Sequence, residues 1–487
     1  MNKISIITFV ASVLMSTVLV GQTVPGRLHV PDVSGEYYDY TVTGKPERPY
    51  MIDYENTIMM KFFMSGPRMD KTPSGKVYPA DCYITQNFET VLNNIRKIDA
   101  ISRGMNKIVY LVGWQYNGHD DGYPAFFSFN EKLKRPEDAT ARDSYLYVQK
   151  VAKEQYNTNV SVHINVNDAY YSSPLWDLYA EKDLLSRNND GSYYNNGKLL
   201  GMPHNKVSLC REWEAGYTAW RIDEVTEVCN LKYVNTVHLD AFQPHPNRIH
   251  GLTKEDEQVA MRKLIRYWRN LGVDVTTEFW QGFSRMDRFI GLSPACWWNN
   301  FTIKDRLEIS PELACCGEAG TWEKGGDWNH IGFLFGEAQH AETYINSDSN
   351  FQKFKHEFCT MSLQYAYLNS HDIEKWDEKN QILTYSDGLV VDWPRKLVTK
   401  NGVLVRRGND VFMPAVWIKD HREIIAYSEE GYDSLTWALP SDWKKVKTVT
   451  VYDVDENGLF GKRRMKIHEG RLTISMKPGQ MLSIQAD

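Results

Sequence analysis

The feature that most constrains this chain is an alternation of short β-rich runs with segments of helical apolar spacing between about residues 56 and 370. Strands are predicted at Thr57–Met64, Lys107–Trp114, Asn159–Asn165, Thr236–Asp240, Val273–Glu278 and Ala295–Trp298, and helices at Phe88–Ser102, Arg142–Gln155, Trp213–Val228 and Lys254–Leu271. Two further strands, around Ile331–Phe335 and Ser362–Leu368, complete eight units. Repeated strand and helix units predict parallel βα pairs closed into a (β/α)8 TIM-type barrel.

Beyond Lys379 the pattern changes to short alternating strands separated by turn residues. They are predicted at Gly388–Val391, Gly402–Arg406, Asp410–Trp417, Glu423–Tyr427, Thr448–Tyr452 and Leu472–Met476. Such spacing is typical of an antiparallel β-sandwich domain. We therefore expect a lead-in segment over 22–54, the barrel over 55–379 and a C-terminal β-sandwich over 380–487.

The first 21 residues have the pattern of a secretory signal peptide. Lys3 supplies a positive charge, and an uncharged stretch from Ile4 to Val20 follows it. No basic cluster follows that stretch, and no later segment is apolar for long enough to span a bilayer. The sequence thus predicts a protein that is secreted or periplasmic after cleavage, without stable membrane insertion.

Charge and cysteine content exclude several partners. The formal net charge is −6, with no block rich in lysine or arginine, so nucleic acid is not a predicted partner. The seven cysteines form no CxxC pair, which argues against zinc and against a disulfide framework. No cofactor is predicted. A metal site built from His119, Asp120, His163 and His371 is an alternative, but no HxH or HExxH spacing supports it, so no metal is predicted either.

Several predicted strands end in polar residues, and the active site of a βα barrel lies at those ends. The segments with such endings are 112–121, 163–168, 237–240, 276–280 and 369–372. Any single carboxylate among them could cap the next helix. Together they indicate a polar site at the barrel mouth.

Asp240 and Glu278 are the strongest catalytic candidates. They end consecutive predicted strands and are separated by about one strand, one helix and a return, so they should lie side by side. Glycoside hydrolysis requires such a pair, in which one carboxylate attacks the anomeric carbon and the other carboxyl protonates the leaving oxygen. Asp240 is the predicted nucleophile and Glu278 the predicted general acid/base. Aromatic residues make up 13% of the chain, and rings near strand ends are candidates for stacking on sugars: Trp114, Tyr170, Trp280 and Trp298.

At these positions the chain resembles the endo-α-N-acetylgalactosaminidase family of glycoside hydrolases. The resemblance is carried by 109–115 (Val-Tyr-Leu-Val-Gly-Trp-Gln), 118–120 (Gly-His-Asp), 162–165 (Val-His-Ile-Asn), 237–240 (Val-His-Leu-Asp) and 277–279 (Thr-Glu-Phe). It covers roughly residues 50 to 380. It implies a retaining enzyme that releases Gal-β-1,3-GalNAc from Ser/Thr of mucin-type O-glycans, so a glycan or glycoprotein is the expected partner.

The resemblance also implies roles for individual residues. His119 and Asp120 would bind hydroxyl groups of GalNAc, and Asn165 or Asn167 would lie near the scissile sugar. Asp372, next to His371, would be a further sugar contact. Where the family has tryptophans after the third strand, this chain has Tyr170 and Tyr171, and Trp176 only later.

Three alternatives remain at this point. The related exo-acting α-N-acetylgalactosaminidase family shares the same barrel, and another retaining α-glycosidase, such as an α-galactosidase, would use the same two carboxyls. A catalytically silent glycan-binding barrel is the third. The sequence leaves the oligomeric state open.

Overall fold

The computed structural model describes residues 28–33, 49–279, 296–298, 303–308, 328–340 and 348–487. Its strands are β1 Thr57–Phe63, β2 Ser65–Lys71, β3 Val77–Ile84, β4 Asn106–Val112, β5 Thr158–Asn165, β6 Asp168–Tyr170, β7 Asn195–Leu199, β8 Met202–Lys206, β9 Thr236–Asp240, β10 Asp274–Phe279, β11 Cys296–Trp298 and β12 Gln339–His340. Its helices are α1 Phe88–Ser102, α2 Ala141–Tyr156, α3 Trp176–Glu181, α4 Leu209–Glu214, α5 Tyr217–Val228, α6 Leu231–Val234, α7 Lys254–Asn270, α8 Ile303–Glu308, α9 Trp328–Phe335, α10 Asp348–Glu357 and α11 Leu363–Asn369.

The N-terminal half is organised around a curled parallel sheet. Among the described residues it has seven strands in the order β11-β10-β9-β5-β4-β1-β12, and each neighbouring pair is parallel. Most described side chains of these strands are buried, as a sheet covered by helices requires. Helices α1, α2 and α7 begin at side-chain caps, Asn87, Thr140 and Thr253, and bury one face.

The C-terminal part is antiparallel, as predicted. Its strands are β13 Ile373–Asp377, β14 Ile382–Tyr385, β15 Leu389–Asp392, β16 Leu397–Lys400, β17 Val403–Arg407, β18 Asp410–Pro414, β19 Glu423–Ser428, β20 Tyr432–Ala438, β21 Thr448–Asp455, β22 Gly458–Lys466, β23 Arg471–Met476 and β24 Gln480–Ala486. Ten of these described strands form one sheet. The β20–β23 pair packs on that sheet, and Trp437 stacks on Phe412 with ring centroids 5.1 Å apart.

Two predicted barrel strands are wrong. The segments around Ile331–Phe335 and Ser362–Leu368 are helical in the structure: α9 covers the first, and a π-helical turn at Phe358–Ser362 leads into α11 over the second. Short continuous apolar runs fit a buried strand and a buried helix equally well, and these helices are buried in the core. The parallel strand of this region is the two-residue β12 beside β1.

A small three-stranded antiparallel sheet, in the order β6-β8-β7, follows β5. It lies at the carboxyl end of the parallel sheet and therefore beside the predicted site. No helix in the described ranges is long and apolar enough to cross a membrane. The predicted signal peptide, 1–21, lies outside the described residues.

Candidate active site

Asp240 and Glu278 lie next to each other at the carboxyl ends of β9 and β10. These strands are parallel neighbours, with Leu239 opposite Thr277, so the next residue along each strand falls at the same level. The two carboxyls are close enough for each to shift the pKa of the other. The backbone N–H of Ala241 also donates to Glu278 Oε2 over 3.2 Å. Both carboxyls are nearly buried, with side-chain exposures of 13% for Asp240 and 12% for Glu278.

Lys61 is a member of this site that the sequence reasoning missed. It projects from β1 across the interior of the curled sheet, and its Nζ lies 3.2 Å from Glu278 Oε1. Its side chain is fully buried. A lysine within the apolar run Thr57–Phe63 was the available signal, because a buried strand accommodates a charge only when a partner is present.

A row of three imidazoles lies beside Asp240. His163 Nε2 is 3.4 Å from Asp240 Oδ2, and the His163 ring lies between those of His119 and His238, with centroids 5.7 and 5.3 Å away. Burial holds the pKa of His238 well below its usual value, and its Nδ1 is 2.8 Å from Thr276 Oγ1. His163 is therefore placed to orient the Asp240 carboxylate.

The same geometry includes a possible metal-binding set. One ligand atom from each of His119, His163 and Asp240 lies within 4.8 Å of the others. Two imidazoles and a carboxylate could hold a transition-metal ion. An ion there would occupy the carboxylate predicted to act as nucleophile, so the absence of a metal cofactor stays our prediction.

His119 and Asp120 reach the site on the loop that follows β4. Gly113 and Gly118 allow this loop to pass close to Ser65: a Cβ at either position would lie 2.0 or 2.6 Å from the Ser65 carbonyl oxygen. Both glycines also have positive φ, 75° and 109°. His119 Nε2 is 3.5 Å from Asp120 Oδ1, and Asp120 is buried.

Asn165, Asn167 and Tyr170 hold the loop after β5 in place. The Asn165 side chain accepts from the backbone N–H groups of Asn167 and Asp168, both over 2.9 Å. Asn167 Nδ2 donates to the carbonyl oxygens of Ala241, at 3.2 Å, and Gln243, at 2.6 Å, on the β9 loop. Tyr170 is buried and lies close enough to Asp120 to lower the pKa of that carboxyl.

A polar cluster beside Asp120 was not among the predicted site residues. Lys206 Nζ lies 2.6 Å from Asp168 Oδ1, and both residues are buried across the β6–β8 pair. The His204 ring packs on Tyr170 with centroids 5.0 Å apart. The cluster adjoins Asp120, because Tyr170 and Asp168 both influence the pKa of that carboxyl.

Three predicted site residues, Trp114, His371 and Asp372, do not lie beside the carboxyl pair. Trp114 is fully buried: Gly113 ends the strand, the indole N–H donates to the His163 carbonyl oxygen over 3.2 Å, and the ring packs on Phe129. We therefore leave Trp114 out of the sugar site.

His371 and Asp372 follow helix α11, not a strand. In α11 the Tyr365 hydroxyl donates to the Tyr54 carbonyl oxygen over 3.2 Å, just before β1 begins. The helix thus ends at the amino-terminal face of the parallel sheet, opposite Asp240, and His371 contacts Lys400 of the C-terminal sheet. The error came from the strand predicted at Ser362–Leu368. Trp280 lies outside the described residues, and so does the side chain of Trp298.

Comparison with known proteins decides the class of this domain. Residues 68–296 match the family model of endo-alpha-N-acetylgalactosaminidase, glycoside hydrolase family 101. The resemblance found in the sequence is thereby confirmed. The chain carries a glycoside hydrolase domain.

Solved structures support the same fold for this glycoside hydrolase domain. The alpha-N-acetylgalactosaminidase of Bifidobacterium bifidum in complex with GalNAc superimposes with a TM-score of 0.53 at 12% identity, over 72% of this chain and 58% of that one. Its ligand-free form gives 0.52 at 12% identity, over 71% and 57%. The chain thus spans less than two thirds of the length of these proteins.

The electrostatics of the site in this glycoside hydrolase domain affect the pKa values of the two carboxyls differently. Burial raises the pKa of Glu278, the neighbouring Asp240 raises it further, and Lys61 opposes the rise. Burial also raises the pKa of Asp240, but the neighbouring Glu278 lowers it. The coupling therefore favours the protonated acid at Glu278 and the carboxylate at Asp240.

Proposed function

We propose that this protein is a retaining glycoside hydrolase that cleaves α-linked GalNAc from mucin-type O-glycans, with Gal-β-1,3-GalNAc-α-Ser/Thr as substrate. Asp240 is the nucleophile and Glu278 the general acid/base. The observation that carries the proposal is the nearly buried, electrostatically coupled carboxyl pair at the ends of two neighbouring parallel strands. The family match and the GalNAc-bound structural relative support the choice of sugar.

The closeness of the carboxyls favours retention. Inverting enzymes hold their two carboxyls about 6.5 to 9.5 Å apart so that a water fits between them, whereas retaining enzymes hold them about 5 to 5.5 Å apart. Asp240 and Glu278 end adjacent paired strands at the same level, and each shifts the pKa of the other, which favours the shorter, retaining separation. In the proposed reaction the Asp240 carboxylate bonds to C1 of GalNAc, the C1–O bond breaks, and the Glu278 proton passes to the departing Ser/Thr oxygen. Water then attacks C1, Glu278 takes its proton, and the bond to Asp240 breaks.

The stereochemistry of α-GalNAc also requires a carboxylate from the protein. The 2-acetamido group is cis to the leaving oxygen and cannot attack C1 from behind. Asp240 supplies the nucleophile instead, and His163, 3.4 Å from it, keeps its carboxylate oriented. Asp120, buried beside the pair, holds hydroxyl groups of the same sugar together with His119.

Several finer features belong to the same proposal. We infer that the curled parallel sheet belongs to a closed (β/α)8 barrel, that the C-terminal sheet and the β20–β23 pair form a β-sandwich, and that the domain boundaries are those predicted above. Removal of a signal peptide at 1–21 would make the enzyme secreted or periplasmic.

The division of labour is tested with Glu278→Gln and Asp240→Asn. Glu278→Gln should lose activity mainly on glycosides with poor leaving groups, because an activated aryl glycoside needs little protonation. Added azide should restore turnover and give the α-glycosyl azide. Asp240→Asn should lose activity on every substrate. Asp274→Asn is the matched control: a buried aspartate at the opposite end of β10, which should leave the leaving-group dependence unchanged.

The assignment fails if Asp240→Asn is near wild type, or if Glu278→Gln is equally impaired on all substrates and azide gives no α-adduct. Product analysis on a mucin glycopeptide separates the alternatives. Released disaccharide supports endo action, and released GalNAc supports the exo-acting alternative. Cleavage of aryl α-galactosides in preference to α-GalNAc would indicate an α-galactosidase.

A further inference from the structure

A partly exposed aromatic pair lies beside the loop that carries His119. Phe63 ends β1 and Tyr83 lies in β3, and their rings stack with centroids 6.1 Å apart and planes 20° apart. The Phe63 ring also meets the His119 ring edge to face, with centroids 5.8 Å apart. Tyr83 is 41% exposed. We call Phe63 and Tyr83 the aromatic platform.

The sequence builds this platform through a glycine. Gly66 of β2 pairs directly with Tyr83 across the hairpin. A Cβ at residue 66 would lie 2.4 Å from the Tyr83 hydroxyl oxygen and 2.5 Å from Cζ, so any other residue would push the ring away. The tyrosine ring therefore lies over bare backbone in one fixed orientation.

The hairpin that carries Tyr83 is tied to the catalytic loop. The His119 backbone N–H donates to the Ser65 carbonyl oxygen over 2.9 Å, and the Ser65 hydroxyl donates to the Gly113 carbonyl oxygen over 2.6 Å. Asn117 Nδ2 reaches the Pro79 carbonyl oxygen on β3 at 3.5 Å. The platform is thus held at a constant position relative to Asp120.

The described rings that were predicted to stack on a sugar are less exposed than Tyr83. Trp114 and Tyr170 are buried and offer no open face. Tyr83 has exposed ring surface, beside the His119 that contacts both Asp120 and His163. A flat ring with an open face stacks well on the C–H face of a sugar.

We propose that the aromatic platform binds the sugar next to the cleaved GalNAc, on the glycan side, and so sets the preference for an extended glycan. This inference rests on the proposed function, because it assumes that Asp240 and Glu278 cleave the GalNAc linkage. Tyr83 acts by stacking, so the ring is required and its hydroxyl is not.

The test compares Tyr83→Ala and Tyr83→Phe on two aryl glycosides, the α-GalNAc monosaccharide and the α-linked Gal-β-1,3-GalNAc disaccharide. Tyr83→Ala should lower kcat/KM for the disaccharide by about tenfold, mainly through KM, and change the monosaccharide by less than about twofold. Tyr83→Phe should match wild type on both. Tyr78→Ala removes another exposed tyrosine of β3, 37% exposed, and should change neither. Unchanged melting temperatures exclude misfolding.

Equal losses on both aryl glycosides, or no loss, would overturn the platform. A loss seen only when the aglycone peptide is lengthened would overturn it too, since it would place the ring on the peptide side. Calorimetric titration of free disaccharide into the same variants does not depend on turnover. If wild type hydrolyses neither glycoside while Tyr83→Ala still weakens disaccharide binding, the proposed function fails and the platform stands. If wild type hydrolyses both but disaccharide binding is independent of Tyr83, the platform fails and the proposed function stands.

Discussion

Replacing Lys61 with methionine should shift the whole pH profile of kcat/KM to higher pH. The substitution removes the ammonium 3.2 Å from Glu278 Oε1 and keeps nearly the same length of side chain in a fully buried position. Lys61 lowers the pKa of both Glu278 and Asp240. Without it, Asp240 loses its charge at a higher pH on the acidic limb, and Glu278 keeps its proton to a higher pH on the basic limb.

The size of the shift follows from the distance. Two unit charges 3.2 Å apart interact by about 5 kcal/mol at an effective dielectric constant of about 20. Relaxation of the site removes part of this. A third of it, about 1.7 kcal/mol, still corresponds to more than one pKa unit, at about 1.36 kcal/mol per unit. We therefore expect the basic limb, which depends on Glu278, to move up by about one pH unit or more, and the acidic limb to move in the same direction.

The assay is kcat/KM against pH on an aryl α-GalNAc substrate, because this ratio reports the ionisation of the free enzyme. Each limb reports an apparent pKa of the coupled Asp240–Glu278 pair and not of one residue, so the same limb is compared between variants. Lys107→Met is the matched control: Lys107 is buried on the neighbouring strand β4, and its Nζ pairs with Asp99 Oδ1 over 2.6 Å, away from the site. It should alter stability without moving the profile. An unshifted or acid-shifted profile in a folded Lys61→Met enzyme would refute the reasoning.

Three further changes test the placement of the predicted residues. Trp114→Ala should lower the free energy of unfolding by about 3 to 5 kcal/mol in a denaturant titration, because a large core side chain is lost; a KM effect without destabilisation would contradict this. Asp120→Asn should lower kcat/KM by roughly 10²-fold or more with little change in melting temperature. A lower melting temperature with unchanged kinetics would instead show that the Asp120 carboxylate has a structural role. His371→Ala and Asp372→Asn should leave kcat/KM within about twofold, and a larger loss would return these residues to the sugar site.

The sequence allowed the parallel sheet and its central carboxyl pair to be predicted because those signals are local. Asp240 and Glu278 come at the ends of short β-rich runs, and strand spacing places them side by side. Apolar runs without periodicity were misread, as at Ser362–Leu368, because burial makes helix and strand look alike. Because that segment was predicted as a strand, His371 and Asp372 were expected at the carboxyl end of the sheet, whereas they follow a helix that ends at the amino-terminal face.

Other parts of the site depend on contacts between distant segments. Lys61 is 217 positions from Glu278 along the chain, and only the curvature of the sheet joins them. Tyr83 gains its place from Gly66 and from a hydrogen bond between Ser65 and His119. Trp114 was assigned to the mouth because it follows a strand, but the positive φ of Gly113 turns the chain and sends the ring into the core.

The most direct test of the central claim is to find the sugar on the nucleophile. Glu278→Gln slows hydrolysis of the covalent intermediate, so incubation with an activated aryl α-GalNAc substrate, followed by acid quench, proteolysis and mass spectrometry, should show one GalNAc attached to the peptide that contains Asp240. The double variant Asp240→Asn/Glu278→Gln should carry no label. A label on a different carboxylate, or an unlabelled protein that still turns over substrate with retention, would contradict the account.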